Sequence, residues 1–110
     1  MPMVDQFEFS FETAALMEKN GNLQSITINE NGQTGRLPMI AGYLTAHGLS
    51  NDAALESITI RAARQLGLEE RIGSLERGKD ADIAVFTGDA LLNTSRCVMT
   101  MIAGEKVFHE

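Results

Sequence analysis

The chain has one cysteine, two prolines, one tyrosine and no tryptophan among its 110 residues. The lone Cys97 cannot close an internal disulfide, which suits a reducing cytoplasm. Histidine is scarce too, at two residues. Neither an HxH nor an HExxH pattern occurs, so no histidine pair has the spacing that builds a zinc centre. Basic residues are outnumbered, 9 against 15 acidic, for a net charge of -6. This argues against a nucleic-acid partner, which favours a basic face. No apolar run approaches the roughly 20 residues of a membrane helix. The opening MPMVDQFEF lacks a basic stretch followed by an apolar core, so no signal peptide is read there. GxxxxGK[ST] is not satisfied either, because Asp80 follows Lys79. No repeat or low-complexity run marks a domain boundary.

What is present is an ordinary globular composition, 44% apolar and 22% charged, in a length that fits one domain or a piece of one. A short extended piece is read at 6–9. Ser10 can cap a first helix that runs through Thr13 to Lys19, with Phe11, Ala14, Ala15 and Leu16 inward and Asn20-Gly21 as its stop. Leu23–Ile28 alternates and is rich in β-branched residues, which predicts a strand. The polar loop 29–35 follows it, at a strand end where α/β proteins place chemistry, so Glu30 and Asn31 are candidate site residues. A second helix starts at Leu37-Pro38 and stops at His47-Gly48, where His47 meets the negative end of the helix dipole. A third starts at Ser50-Asn51-Asp52. Its stripe is Ala54, Leu55, Ile58, Ala62 and Leu66, and Glu56, Arg61 and Arg64 form its solvated face.

The densest stretch is Gly73 to Phe86, GSLERGKDADIAVF. A charged turn, Arg77-Gly78-Lys79-Asp80, leads through Ala81-Asp82 into the apolar strand Ile83–Phe86. Asp80 and Asp82 read as turn carboxylates that accept backbone hydrogen bonds, not as metal ligands. Arg77 and Lys79 read as turn charges. After the irregular Leu91-Leu92-Asn93, Val98–Ala103 and Lys106–Phe108 form a hairpin around Gly104-Glu105.

Residues 50–108 resemble the C-terminal end of the amidohydrolase superfamily, in the branch of imidazolonepropionase-like and prolidase-like metal-dependent hydrolases. The resemblance rests on SNDAALESIT, ARQLGLEERIGSLERGKDADIAVFTGDAL and VMTMIAGEKVF. The spacing from Leu66-Gly67 through Gly73-Ser74, Gly78-Lys79 and Ala81-Asp82 is kept. Residues 12–49 match more weakly.

The resemblance implies an α/β fold, α+β in isolation, with three helices and about four strands. These correspond to the last β/α units of a (β/α)8 barrel (10–67) and the last strands of its β-sandwich (68–110). A whole barrel takes about 250 residues, so 110 residues do not include the family's histidine ligands or its bridging Lys or Glu. The chain itself is then expected to hold no cofactor, while a full-length parent would hold zinc or another divalent metal. The family's Asp at the end of the eighth strand falls on Asn31, with Glu30 beside it. An amide has no pKa from which to shuttle protons near neutrality. No catalytic or metal-binding residue is therefore assigned. Arg61-Ala62 stands where relatives often carry Asn-Pro, so the third helix is expected to run unbroken from Asn51 to Leu66. Two functions are compatible with this reading. One is the C-terminal fragment of a C–N-bond hydrolase acting on cyclic amide or peptide-like substrates, inactive alone. The other is a non-catalytic α/β module that self-associates or binds another chain, with Val98–Ala103 or Lys106–Phe108 as the edge. The expected partners are a second copy or the remaining barrel segment, not nucleic acid or a membrane.

Overall fold

The computed structural model describes residues 12–27 and 37–110. The readings on 6–9, Ser10, Phe11, Ile28, Glu30 and Asn31 lie outside the described residues. Among the described residues four helices and one sheet follow in order: α1 (Thr13–Lys19), α2 (Leu37–Thr45), α3 (Asn51–Ser57), α4 (Ile60–Gln65), β1 (Ile83–Phe86), β2 (Cys97–Ile102) and β3 (Glu105–His109).

The helix stops fall where glycine predicts them. Beyond α1, α2 and α4, Gly21, Gly48 and Gly67 take φ of 84°, 98° and 72°. In each case the next N–H reaches back five residues: Asn22 to Met17, Leu49 to Leu44, and Leu68 to Ala63. This satisfies carbonyls that the helix end leaves open. Ser50 caps α3 as predicted, its hydroxyl accepting the Ala53 N–H at 3.1 Å.

Two elements differ from the sequence reading. The third helix is broken: α3 ends at Ser57, and Thr59 takes φ −125° and ψ −99° before α4 begins. No proline causes this. The Ser57 hydroxyl donates to the Ala54 carbonyl at 2.6 Å, and the Thr59 hydroxyl to the Leu55 carbonyl at 2.8 Å. Such back-bonding bends helices, and Ile58-Thr59-Ile60 is a run of β-branched residues with low helix propensity. The second difference is that Leu23–Thr27 carries no strand ladder. Its alternation suits a strand, but among the described residues no other strand lies beside it. Its Ile26 N–H donates instead to the Ser57 carbonyl at 3.1 Å.

The three C-terminal strands form an antiparallel sheet in the order β1-β2-β3. Val98–Ala103 therefore overlaps the central strand and offers no free edge, whereas β3 is an edge. Register pairs Ile83 with Met101, Val85 with Met99 and Thr100 with Phe108, with irregularities after Val85 and Thr100. The turn residues between β2 and β3 are Ala103 and Gly104, at φ 51° and 84°. Positive φ at both positions defines a type I′ turn, whose twist matches that of the flanking strands.

The core is small. Among the described residues its buried apolar members are Ala41, Leu49, Ala53, Ala54, Ala63 and Leu91. All but Ala63 form one cluster, onto which Ala14, Ala15, Ile26, Leu44 and Ile58 pack. Leu91 comes from the irregular link after β1 and ties the sheet region to α2. A Cβ on Gly42 would overlap the Leu91 carbonyl oxygen, so this contact needs glycine in α2. Along the predicted third-helix stripe Ala54 is buried, but Leu55 and Leu66 are exposed. Leu16, predicted to face inward, is also exposed.

Candidate functional site

Arg61 lies at the centre of the most buried polar cluster. It is 7% exposed, although as a charged residue beside the apolar stripe it is expected on the solvated face. It forks onto Glu18 of α1, with Nη1 to Oε2 at 2.6 Å and Nη2 to Oε1 at 2.8 Å. Glu56 of α3 adds a third carboxylate oxygen at 3.1 Å from Nη2. The fork holds the Glu18 carboxyl below the usual carboxylate range and raises the Arg61 guanidinium. The Arg61 Nε is buried with no acceptor among the described residues. A buried guanidinium needs such partners, because an unpaired buried charge is strongly destabilising. Sequence held a signal for this. Arg61 is seven residues beyond the fully buried Ala54, which puts it on the inward side of the helical stripe.

His47 lies past the end of α2. Its Nδ1 is 3.2 Å from Glu12 Oε1, and its ring is 5.1 Å from that of Tyr43 at a tilt of 50°. It joins the start of α1 to the end of α2. Glu56 and Arg64 are exposed, as their place on the outer face predicts.

The turn residues act within the scaffold. Asp80 Oδ2 accepts from Arg71 Nη2 at 2.9 Å, and the Asp80 N–H donates to the Arg71 carbonyl at 2.8 Å. Asp82 Oδ1 accepts the Ala103 N–H at 2.9 Å and so braces the β2–β3 turn. Lys79 is more enclosed than a turn charge need be. Its side chain is 9% exposed, and Nζ donates to Ser74 Oγ at 2.6 Å. Gly73 packs against α4, where an added Cβ would lie 2.8 Å from that of Ala63.

Two clefts, each of about 220 Å³, open on the surface. One lies beside Ser74, Leu75, Lys79 and Ile83, the other beside Met39, Tyr43, Leu91 and Asn93. Both fall below the roughly 300–1,000 Å³ of ordinary ligand pockets. Among the described residues no group of three or more His, Cys, Asp or Glu side chains could hold a metal ion. His47 has the Glu12 carboxylate beside it, and His109 lies on β3. The described residues do not fit a divalent-metal centre. Among them, too, no helix is long and apolar enough to cross a membrane.

The geometry is that of structural α/β elements, with side chains that brace helices and turns. Its family follows from comparison: the chain belongs to the amidohydrolase family, whose model matches residues 9–107. Imidazolonepropionase of Erwinia tasmaniensis is 53% identical over 47 residues, which is 43% of this chain and 11% of that protein. N-acetylglucosamine-6-phosphate deacetylase of Mus musculus is 41% identical over 66 residues, 60% of this chain and 15% of that one. An amidohydrolase from Thermotoga maritima, solved by crystallography, superposes with a TM-score of 0.87 at 31% identity. That match covers 93% of this chain and 27% of the solved one. The chain therefore spans under a third of the length of each of these proteins.

Proposed function

We propose that this chain is the C-terminal part of a metal-dependent amidohydrolase and that it is inactive by itself. The parent reaction would be hydrolysis of a C–N bond in a cyclic amide, N-acyl or peptide-like substrate by metal-activated water. The family match and the relatives' names support hydrolase chemistry. The observation that carries the fragment reading is the coverage. Nearly all of this chain superposes on little more than a quarter of a solved amidohydrolase. In this reading residues 10–67 derive from the end of the barrel and residues 68–110 from the β-sandwich. Zinc or another divalent metal would belong to the parent, and a reducing cytoplasm suits Cys97.

The test is hydrolysis of N-acetylglucosamine-6-phosphate and of imidazolone propionate by the purified chain with added zinc, with Asn31→Asp assayed beside the wild type. Neither protein should exceed the zinc-only control. Turnover by the wild type would contradict both the inactivity and the reading of residue 31.

A non-catalytic module that associates with another chain is the second reading. It is favoured by the exposure of β3, whose Val107 and Phe108 are 58% and 48% exposed on an edge strand. An apolar edge with no further ladder among the described residues is a template for pairing, with a second copy or with the remaining barrel segment.

A further inference from the structure

Two thioethers and an imidazole share one face of the sheet. Met99 and Met101 stand two positions apart on β2, so both side chains rise from the same face, about 7 Å apart along the strand. His109 of β3 is the register partner of Met99, and residues directly opposite one another share a face. The Glu110 N–H donates to the Val98 carbonyl at 2.9 Å, which makes Val98 and Glu110 a hydrogen-bonded pair. The next pair, Met99 and His109, is then of the other kind, in which opposing side chains stand closest. Methionine turns about three side-chain bonds, so both sulfurs can swing toward the imidazole.

The surroundings favour a soft ion. On β1, Val85 is opposite Met99 and Ile83 is opposite Met101, so the floor beside the sulfurs is apolar. Met99 and Met101 are half-buried and His109 is exposed, which leaves the group open on the side of β3. The one carboxylate within the three strands, Glu105, is opposite Ile102 and falls on the other face. Lys106, opposite Met101, ends in an ammonium with no lone pair to give. Calcium and magnesium take oxygen donors, which this face does not offer. Thioether sulfur selects Cu(I), and imidazole suits copper as well.

We propose that Met99, Met101 and His109 form a binding site for a soft monovalent metal ion, Cu(I). Two sulfurs and one ring nitrogen donate to the ion, which arrives already reduced, so no bond breaks and no electron is transferred. The site is separate from the divalent metal of a full-length parent and uses no residue of the 73–82 turn. Cys97 is not part of it. Its Sγ is 3.4 Å from Thr100 Oγ1, and Thr100, adjacent to Met99, points to the opposite face.

The test uses Ag(I) as a redox-inert stand-in for Cu(I), titrated into the full chain carrying Cys97→Ser, which removes its one thiol. Methionine methyl and histidine ring signals are read by NMR. One equivalent should shift the methyls of Met99 and Met101 and the ring of His109, and leave Met17 and Met39 in place. Cu(I) affinity is then measured anaerobically in ascorbate, by competition with a chromophoric Cu(I) chelator. Met99→Leu, Met101→Leu and His109→Ala should each weaken binding by about tenfold or more, at least the effect of losing a partner that only orients a ligand. Met→Leu conserves volume and keeps the sheet intact. Lys106→Ala should not weaken binding. The proposal is wrong if Cys97→Ser abolishes binding, if all the methionines shift alike, or if the three ligand substitutions leave the affinity unchanged.

Discussion

Arg61 shows how one side chain can organise several elements. It joins α1, α3 and α4 through Glu18 and Glu56, but the two carboxylates are unequal. Glu18 takes two short bonds and is the more enclosed, with 25% of its side chain exposed against 49% for Glu56. Glu18→Ala should therefore lower the melting temperature clearly more than Glu56→Ala, because it removes the fork and leaves the buried guanidinium with Glu56 alone. Equal effects would show that the fork has no special weight. Acid acts on the same bond. The folded-state pKa of Glu18 is lowered, so its contribution is complete above the ordinary glutamate value of about 4.3. It is lost as pH falls through the depressed folded value. Arg61 stays charged throughout, and Glu110, lowered by Arg96, contributes a background of the same sign. Melting temperature should thus fall more steeply below about pH 4 in the wild type than in Glu18→Gln. Gly42 is a second sensitive point. Gly42→Ala would press a methyl group into the Leu91 carbonyl and should cost about 1–3 kcal/mol or more, measured by urea denaturation. A neutral result would mean that the 91–93 link moves freely away from α2.

The β2–β3 turn gives a prediction at the level of an element. Ala103 holds φ 51°, which costs a non-glycine residue about 1 kcal/mol. Asn-Gly is the preferred type I′ pair, so Ala103→Asn should stabilise the chain by about 0.5–1 kcal/mol. Its backbone N–H remains available to Asp82. Destabilisation would show that the turn is of another type in solution. Elements set by local chemistry were legible in the sequence. The helix stops at Gly21, Gly48 and Gly67, the Ser50 cap, the strand at Ile83–Phe86 and the hairpin follow from residue types whose preferences act within a few positions. Elements set by distant partners were not. The alternation of Leu23–Thr27 announces a strand, but a ladder needs a neighbour, and the described residues place none there. The break after Ser57 coincides with a carbonyl bonded to Ile26, 31 positions away in the chain, which no window of the helix displays. Leu91 looks irregular in sequence and is core, because its burial depends on a glycine in α2.

At the scale of the whole molecule, the chain belongs to the amidohydrolase family, whose model matches residues 9–107. The stretch Gly73–Phe86 carries the ancestry, and the structure uses it as scaffold. Gly73 rests on α4, Asp80 pairs with Arg71, Asp82 braces the hairpin and Lys79 is held by Ser74. The candidate site residues Glu30 and Asn31 lie outside the described residues. Among the described residues the buried core is mainly alanine, and Val107 and Phe108 are exposed on β3, which motivates a test of the association proposed above. Sedimentation velocity should accordingly show concentration-dependent association of the purified chain. A monomer unchanged across the concentration range would count against the associating reading. The central claim, that this chain carries amidohydrolase scaffold without a zinc centre of its own, is tested most directly by the zinc retained after loading and exhaustive dialysis. Elemental analysis should find far less than one zinc per chain. One tightly held zinc per chain would contradict the account.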